Sequence, residues 1–146
     1  MEESLTLLNL IKRDFGLGEV DLKTLSPLTL AFVGDCIYDL ILRTVIVERH
    51  NASPNQLHRE KSRLARASAQ AEMAEVLQEH LTQEELAVYR RGRNAKSHTT
   101  AKNASVLDYR KATELEALYG WLYLSGQEER LLQLIRLSLD RLGWKL

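Results

Sequence analysis

Apolar residues recur at three- and four-residue steps along most of the chain, and runs in which apolar and polar residues alternate are scarce. The first pattern is typical of amphipathic α-helices, whereas alternation would indicate β-strands. Prolines, which interrupt helices, occur at only two positions. The sequence therefore predicts an all-α fold.

Two Ser-Pro pairs mark the beginnings of helices, because serine caps the free amide groups of a helix N-terminus and proline fits the first helical position. Ser26-Pro27 predicts a long helix that runs to about Arg49. Ser53-Pro54 predicts another, which passes through residues 59–71 and continues toward Gln78.

The remaining boundaries follow from capping patterns and turn residues. Thr82 and Glu85 have the spacing of a capping box and open a short helix to Arg91. Residues 92–103 show no apolar periodicity and are predicted to form a basic loop. The other helices are predicted from Leu5 to Phe15, near Ala104 to Tyr109, from Thr113 to Leu124 and from Gln127 to Leu142.

The chain has 146 residues, 45% of them hydrophobic, which is enough for the core of one globular domain spanning residues 1–146. Its apolar stretches are short and interrupted by charge, so no membrane span is expected. No secretory signal is recognisable, and a cytoplasmic protein is predicted. The single cysteine, Cys36, has no partner for an internal disulfide and lies in an apolar run, which predicts a buried thiol.

Positive charge is concentrated in one segment, although the formal net charge is zero. Between Arg90 and Lys111 there are seven lysines and arginines and a single acid, Asp108. Acids instead crowd residues 72–85 and 114–129. The distribution predicts one positive surface on an acidic body, as a nucleic-acid-binding protein would have.

Two carboxylates interrupt the apolar run from Leu30 to Leu42. Asp35 and Asp39 are four residues apart and share one face of a helix. Because buried charge is costly unless it is paired, the two acids invite a metal ion or a basic partner. The alternative is that both face solvent or pair with Arg43, four residues after Asp39.

Glu116 is a third acid in apolar surroundings, within the aromatic-rich segment from Thr113 to Leu124. Thr113 and Glu116 also have capping-box spacing, which would explain this glutamate without any metal. The residues alone leave both interpretations open. The aromatic side chains near this segment are expected in the core or at a dimer contact and not as platforms for single-stranded bases: Tyr109, Tyr119, Trp121 and Tyr123.

Three segments resemble motifs of the ribonuclease III family. Residues 31–39 resemble its signature helix with a Phe-Leu-Gly-Asp core, and residues 116–124 resemble its second motif, Glu-Ala-Leu-x-Gly-x-x-Tyr-Leu. Residues 91–97, Arg-Gly-Arg-Asn-Ala-Lys-Ser, resemble the basic loop of the Mini-III branch, whose compact bacterial and plastid enzymes lack a separate double-stranded-RNA-binding domain. The resemblance covers roughly residues 25–140.

The resemblance implies a helical bundle like the ribonuclease III endonuclease domain. It also implies a magnesium-dependent endoribonuclease, with Mn²⁺ as an alternative ion, that cuts double-stranded RNA as a homodimer. Asp35 and Glu116 match the family's catalytic metal ligands, and Asp39 is a secondary acid. The implied role is maturation of precursor 23S ribosomal RNA, in a plastid if the source is a plant. The residues expected to contact RNA are Arg91, Arg93, Asn94, Lys96 and Lys102.

Two positions depart from full-length ribonuclease III, because Ala31 and Thr113 stand where that family usually has a glutamate and an aspartate. Waters and RNA phosphate oxygens would then have to complete the octahedral shell of magnesium. Two other functions remain compatible with the sequence: a catalytically reduced double-stranded-RNA-binding module and a helical protein-interaction dimer. The apolar face of the Pro27 to Arg49 helix around Phe32 is the predicted dimer interface.

Overall fold

The computed structural model describes residues 6–93 and 106–146. These residues contain no β-strand, so the all-α prediction is confirmed. Within the same two ranges, no helix has the length and apolar character needed to cross a membrane. The helices are α1 (Leu7–Asp14), α2 (Pro27–Arg49), α3 (Pro54–Ala65), α4 (Ala67–Leu77), α5 (Gln83–Arg93), α6 (Val106–Leu124) and α7 (Glu128–Leu142).

The capping residues identified in the sequence make the expected hydrogen bonds at the N-termini of their helices. The hydroxyl of Ser26 accepts the amide of Thr29 at 3.1 Å, and Ser53 caps α3 in the same way. At the start of α5 the Thr82 amide donates to the Glu85 carboxylate at 2.9 Å, and the Glu85 amide donates to the Thr82 hydroxyl at 3.1 Å. The capping box is therefore complete.

The helix expected to run from Pro54 toward Gln78 is instead broken into α3 and α4. Arg66 at the break has an extended backbone, with ψ at 156°. The side-chain amide of Gln70 donates to the carbonyl of Ala65 at 2.7 Å, so this carbonyl at the break has a partner. Both neighbours of Arg66 are alanines, which favour a helix, and no local signal marks this break.

The described part of the piece predicted near Ala104 to Tyr109 continues without a break into the helix predicted from Thr113, and together they form α6. Thr113 lies inside this helix, where its hydroxyl donates to the Tyr109 carbonyl at 2.9 Å. Because Thr113 does not cap a helix, the capping explanation for Glu116 is wrong. α6 ends at the predicted place, where Gly126 adopts a left-handed conformation (φ 77°).

Helix α6 is the central element of the core and packs against α2, α4, α5 and α7. Its Tyr119 is fully buried, and the ring centroid lies 5.4 Å from that of Tyr38 in α2. This confirms the expected core role of Tyr119. The Tyr38 hydroxyl donates to the Leu64 carbonyl at 2.8 Å, which joins α3 to the same core.

The opposite side of α2 is not covered by the protein. Cys36 is exposed, so the prediction of a buried thiol is wrong. Phe32, one helical turn earlier, is 80% exposed. An apolar run predicts burial only if both sides of the helix are covered, and here the apolar residues of α2 continue onto an open face.

Candidate active site

Helices α2 and α6 approach each other closely at two glycines. A Cβ atom on Gly34 would overlap the carbonyl group of Glu116 and lie 2.8 Å from the amide nitrogen of Gly120. A Cβ atom on Gly120 would overlap the carbonyl group of Leu30. Only glycine allows backbones to meet in this way. Since Gly34 directly precedes Asp35, the crossing brings Asp35 next to Glu116.

The carboxyl groups of Asp35 and Glu116, the acid pair, lie within hydrogen-bonding reach of each other. Burial, and then the hydrogen bond to Asp35 and its charge, raises the pKa of Glu116 to about 9. Two carboxyl groups can share a hydrogen bond only when one of them carries a proton. Without a cation, this raised pKa keeps Glu116 protonated at neutral pH.

The acid pair fits a hard divalent cation such as magnesium, which binds carboxylate oxygens and can replace the shared proton. Across the residues that the structure describes, no three or more His, Cys, Asp or Glu side chains form a group that could hold a metal. Ala31 and Thr113 are buried and supply no carboxylate. Water and substrate oxygens would therefore provide most of the ligands of a bound ion.

Asp39 does not join the acid pair. Its carboxylate accepts from Arg43 Nε at 2.6 Å and lies 3.1 Å from Lys61 Nζ. Partial burial by itself would raise the pKa of Asp39, but the hydrogen bonds and charges of Lys61 and Arg43 keep this pKa below its ordinary value. Of the two interpretations offered for Asp39, the structure therefore supports the pair with Arg43. Lys61 is a second partner that was not predicted.

Comparison with known proteins identifies the family. The family model of the Ribonuclease III domain matches residues 28–127, a segment that includes both members of the acid pair. The chain belongs to the ribonuclease III family. It is accordingly an endoribonuclease of the ribonuclease III type.

Curated relatives of this ribonuclease III chain are named Mini-ribonuclease 3. The one from Thermoanaerobacter sp. (strain X514) is 48% identical over 117 residues, which cover 80% of this chain and 82% of the relative. The one from Clostridium tetani is 41% identical over 133 residues, 88% of each chain. A crystal structure of a Fusobacterium nucleatum protein superimposes with a TM-score of 0.76 at 27% identity, over 84% of this chain and 98% of that one.

Two of the residues expected to contact RNA, Arg91 and Arg93, lie in the last turn of α5 of this ribonuclease III chain. Arg91 donates to the Leu25 carbonyl at 3.2 Å, and Arg93 lies 3.5 Å from the buried carboxylate of Glu114. Both arginines remain exposed despite these contacts. The other three residues of this prediction lie outside the described residues: Asn94, Lys96 and Lys102.

Helix α3 is a second basic element and was not among the segments predicted to contact RNA. Residues 59–66 contain four arginines and lysines and one acid, Glu60. A charge count along the sequence would have found this run. The contact between Lys61 and Asp39 could not have been found in that way, because it depends on how α3 packs against α2.

The raised pKa of Glu116 should make the stability of the metal-free ribonuclease III domain depend on pH. Between pH 4.5 and about 9 the folded state retains a proton that the unfolded chain has released. The contribution of this proton to stability is complete below the unfolded pKa and is lost as the pH rises toward the folded one, by at most about 1.4 kcal/mol per pH unit.

Melts of metal-free protein should therefore show a lower melting temperature at about pH 8.5 than at about pH 6, and Glu116→Gln should reduce this difference because the amide does not titrate. Equal pH dependence of the wild type and Glu116→Gln would show that Glu116 does not hold the proton.

Proposed function

We propose that this endoribonuclease hydrolyses phosphodiester bonds in double-stranded RNA with a magnesium ion held by Asp35 and Glu116, which Mn²⁺ can replace. The observation that carries the proposal is the contact between these two carboxyl groups at the crossing of α2 and α6, where burial and the contact with Asp35 raise the pKa of Glu116. A divalent ion held there would supply an activated water and neutralise a phosphoryl oxygen.

The protein's own contribution is to bind and orient. Glu116 is half-buried at the helix crossing and Asp35 is exposed, so the acid pair has one side in the protein and one side open to a substrate. Glu116 must release its proton when a cation binds, and metal affinity is therefore expected to rise with pH. The glycine contact between α2 and α6 holds together the backbones that carry these two side chains.

Double-stranded RNA is the substrate that the described surface supports best. The exposed arginines of α5, Arg91 and Arg93, suit the phosphates of a duplex, whereas the fully buried Tyr119 cannot stack on an unpaired base. The relatives named Mini-ribonuclease 3 support the same class of reaction. The natural substrate that we propose is precursor 23S ribosomal RNA, processed in the cytoplasm, or in the plastid of a plant.

The test is to incubate the purified protein with a blunt RNA duplex, and with each of its strands alone, in magnesium, in manganese and in EDTA. We expect cleavage of the duplex in either metal and none in EDTA. Binding of the duplex without cleavage would instead support the catalytically reduced RNA-binding module. Neither binding nor cleavage at low salt would favour the protein-interaction dimer.

We further propose that the enzyme is a homodimer formed through the uncovered apolar side of α2. This side carries Phe32 and the partly exposed Leu28 and Leu40. An apolar patch on a helix is typical of a protein interface. A closed twofold dimer would present two acid pairs to one duplex, one for each strand.

Phe32→Glu is expected to convert the dimer into a monomer, because an unpaired charge would be buried at the interface. Light scattering at micromolar concentration measures the change. The exposed Cys36 offers a second readout, since a short bismaleimide should join two wild-type chains and fail to join the variant. Leu132→Glu, at an exposed leucine of α7, is the control and should remain dimeric. A wild type that is monomeric and fully active would contradict the proposal.

A further inference from the structure

A cluster of three charged side chains, the triad of Asp39, Arg43 and Lys61, lies beyond the acid pair on α2 and α3. The Asp39 carboxylate contacts both cations, at 2.6 Å for Arg43 and 3.1 Å for Lys61. Asp35, Asp39 and Arg43 follow one another at four-residue steps and so share one stripe of α2. Along the helix axis, Asp35 and Arg43 are about 12 Å apart.

The two cations of the triad differ in exposure and therefore in what they can do. The Lys61 side chain is 13% exposed and comes from α3, so it neutralises Asp39 and ties α3 to α2. The Arg43 side chain is 57% exposed. An exposed ion pair such as that between Arg43 and Asp39 contributes little to stability, and Lys61 alone would be enough to satisfy the carboxylate.

Arg43 is held in a way that suits an anionic ligand. It uses Nε for Asp39, and its two Nη groups have no hydrogen-bond partner within residues 6–93 and 106–146. A guanidinium anchored through one nitrogen presents the other two as a fork that matches two oxygens of a phosphate. The triad has two positive charges against one negative charge, so it attracts an anion.

The cleft beside the triad adds no negative charge. Arg43, His58 and Lys61 border a cleft of about 200 Å³ between α2 and α3, and none of its lining residues is an acid. Besides Lys61, α3 carries Arg59 and Arg63 against one acid, Glu60. An RNA backbone bound at the acid pair could therefore pass along α2 without meeting an unpaired acid at the triad.

We propose that Arg43 binds a phosphate of the RNA backbone and that Asp39 is the positioning residue that aims it. This inference rests on the proposed function, because it concerns the same substrate near the same acid pair. In this proposal Arg43 contacts the substrate, whereas Lys61 holds α3 against α2. The proposal also gives Asp39 a role that requires no contact with a metal ion.

Arg43→Gln removes the positive charge and keeps a polar side chain of similar reach. Duplex binding should be measured in EDTA across a salt series, so that no cleavage interferes. We expect weaker binding and a salt slope that is lower by roughly 0.7 to 0.9, the value for one phosphate contact. We also expect an unchanged melting temperature, a raised KM for cleavage and little change in kcat. Arg43→Lys should retain the slope but lose affinity, because a lysine has no fork.

Arg136→Gln is the matched control. Arg136 also lies four residues from an aspartate, Asp140, at 3.9 Å, but it is on α7 and 86% exposed. If Arg43→Gln changes the salt slope no more than Arg136→Gln does, the inference is overturned. A lower melting temperature of Arg43→Gln with an unchanged salt slope would overturn the inference too, since the triad would then only stabilise the packing of α2 and α3. If the wild type itself fails to bind the duplex, the proposed function fails and this inference falls with it.

Discussion

Asp35→Asn and Glu116→Gln are expected to abolish the cleavage of duplex RNA while the fold persists. Each change replaces a carboxylate by an amide of the same size, so the packing of α2 on α6 should be kept while the proposed magnesium ion would lose an anionic ligand. We expect the cleavage rate to fall roughly a thousandfold or more, which corresponds to about 4 kcal/mol of lost transition-state stabilisation. Single-turnover cleavage of a labelled duplex measures this loss.

Metal binding should be followed separately from activity, because a loss of cleavage alone does not identify a metal ligand. If the proposed site is right, magnesium should raise the melting temperature of the wild type and have much less effect on either variant, since the ion would bind only the folded acid pair. Duplex binding in EDTA should be largely retained in both variants. Wild-type turnover in either variant would show that the site assignment is wrong.

Thr113→Ala is the control for this experiment. Thr113 is close to Glu116 in sequence, but its hydroxyl donates to the Tyr109 carbonyl inside α6. The substitution therefore removes a bond within one helix and leaves the acid pair untouched. We expect little change in activity. A loss equal to that of Glu116→Gln would mean that the local geometry of α6, and not the carboxylate, limits the reaction.

The helix starts could be predicted from the sequence because their causes are local. Ser26 and Ser53 each cap an amide three residues ahead, and Thr82 and Glu85 cap each other. These bonds form between neighbours whatever the rest of the chain does. The break at Arg66 has no such local cause. Because helix-forming residues lie on both sides of Arg66, the sequence predicts a helix that continues through this position.

The acid pair could be predicted only in part. Spacing placed Asp35 and Glu116 on helices, but it left a capping role for Glu116 and a surface role for Asp35 open. It was the resemblance to ribonuclease III that associated these two acids, and the structure shows the physical reason in the crossing of α2 and α6. The pairing of Asp39 with Lys61 could not be predicted from the sequence either, because it depends on the packing of α3 against α2.

The glycine crossing predicts a second large effect, in which Gly120→Ala strongly destabilises the protein. The added methyl group would overlap the Leu30 carbonyl and lie 3.1 Å from the Gly34 amide nitrogen. Both neighbours are backbone atoms inside helices, so neither can turn aside as a side chain could. α2 and α6 would have to move apart, and the core around Tyr38 and Tyr119 would move with them.

We expect Gly120→Ala to lower the free energy of unfolding by at least about 3 kcal/mol, the upper end of the usual cost of overpacking. The better helix propensity of alanine returns only about 0.5 to 1 kcal/mol of that cost. For a domain of this size the melting temperature should fall by roughly 6 to 12 °C. Gly18→Ala is the control, because a Cβ atom there meets nothing within 4 Å and the melting temperature should barely change.

The same variant tests whether the crossing also sets the chemistry of the acid pair. If α2 and α6 separate, Glu116 becomes less buried and loses its hydrogen bond with Asp35, so the pKa of Glu116 should fall toward its ordinary value. The pH dependence of stability in the metal-free protein should then become shallower in Gly120→Ala, as in Glu116→Gln, and magnesium should stabilise the variant less. A Gly120→Ala protein with the wild-type melting temperature and pH dependence would show that the helices can separate at little cost. The close crossing would then not be the feature that brings Asp35 and Glu116 together.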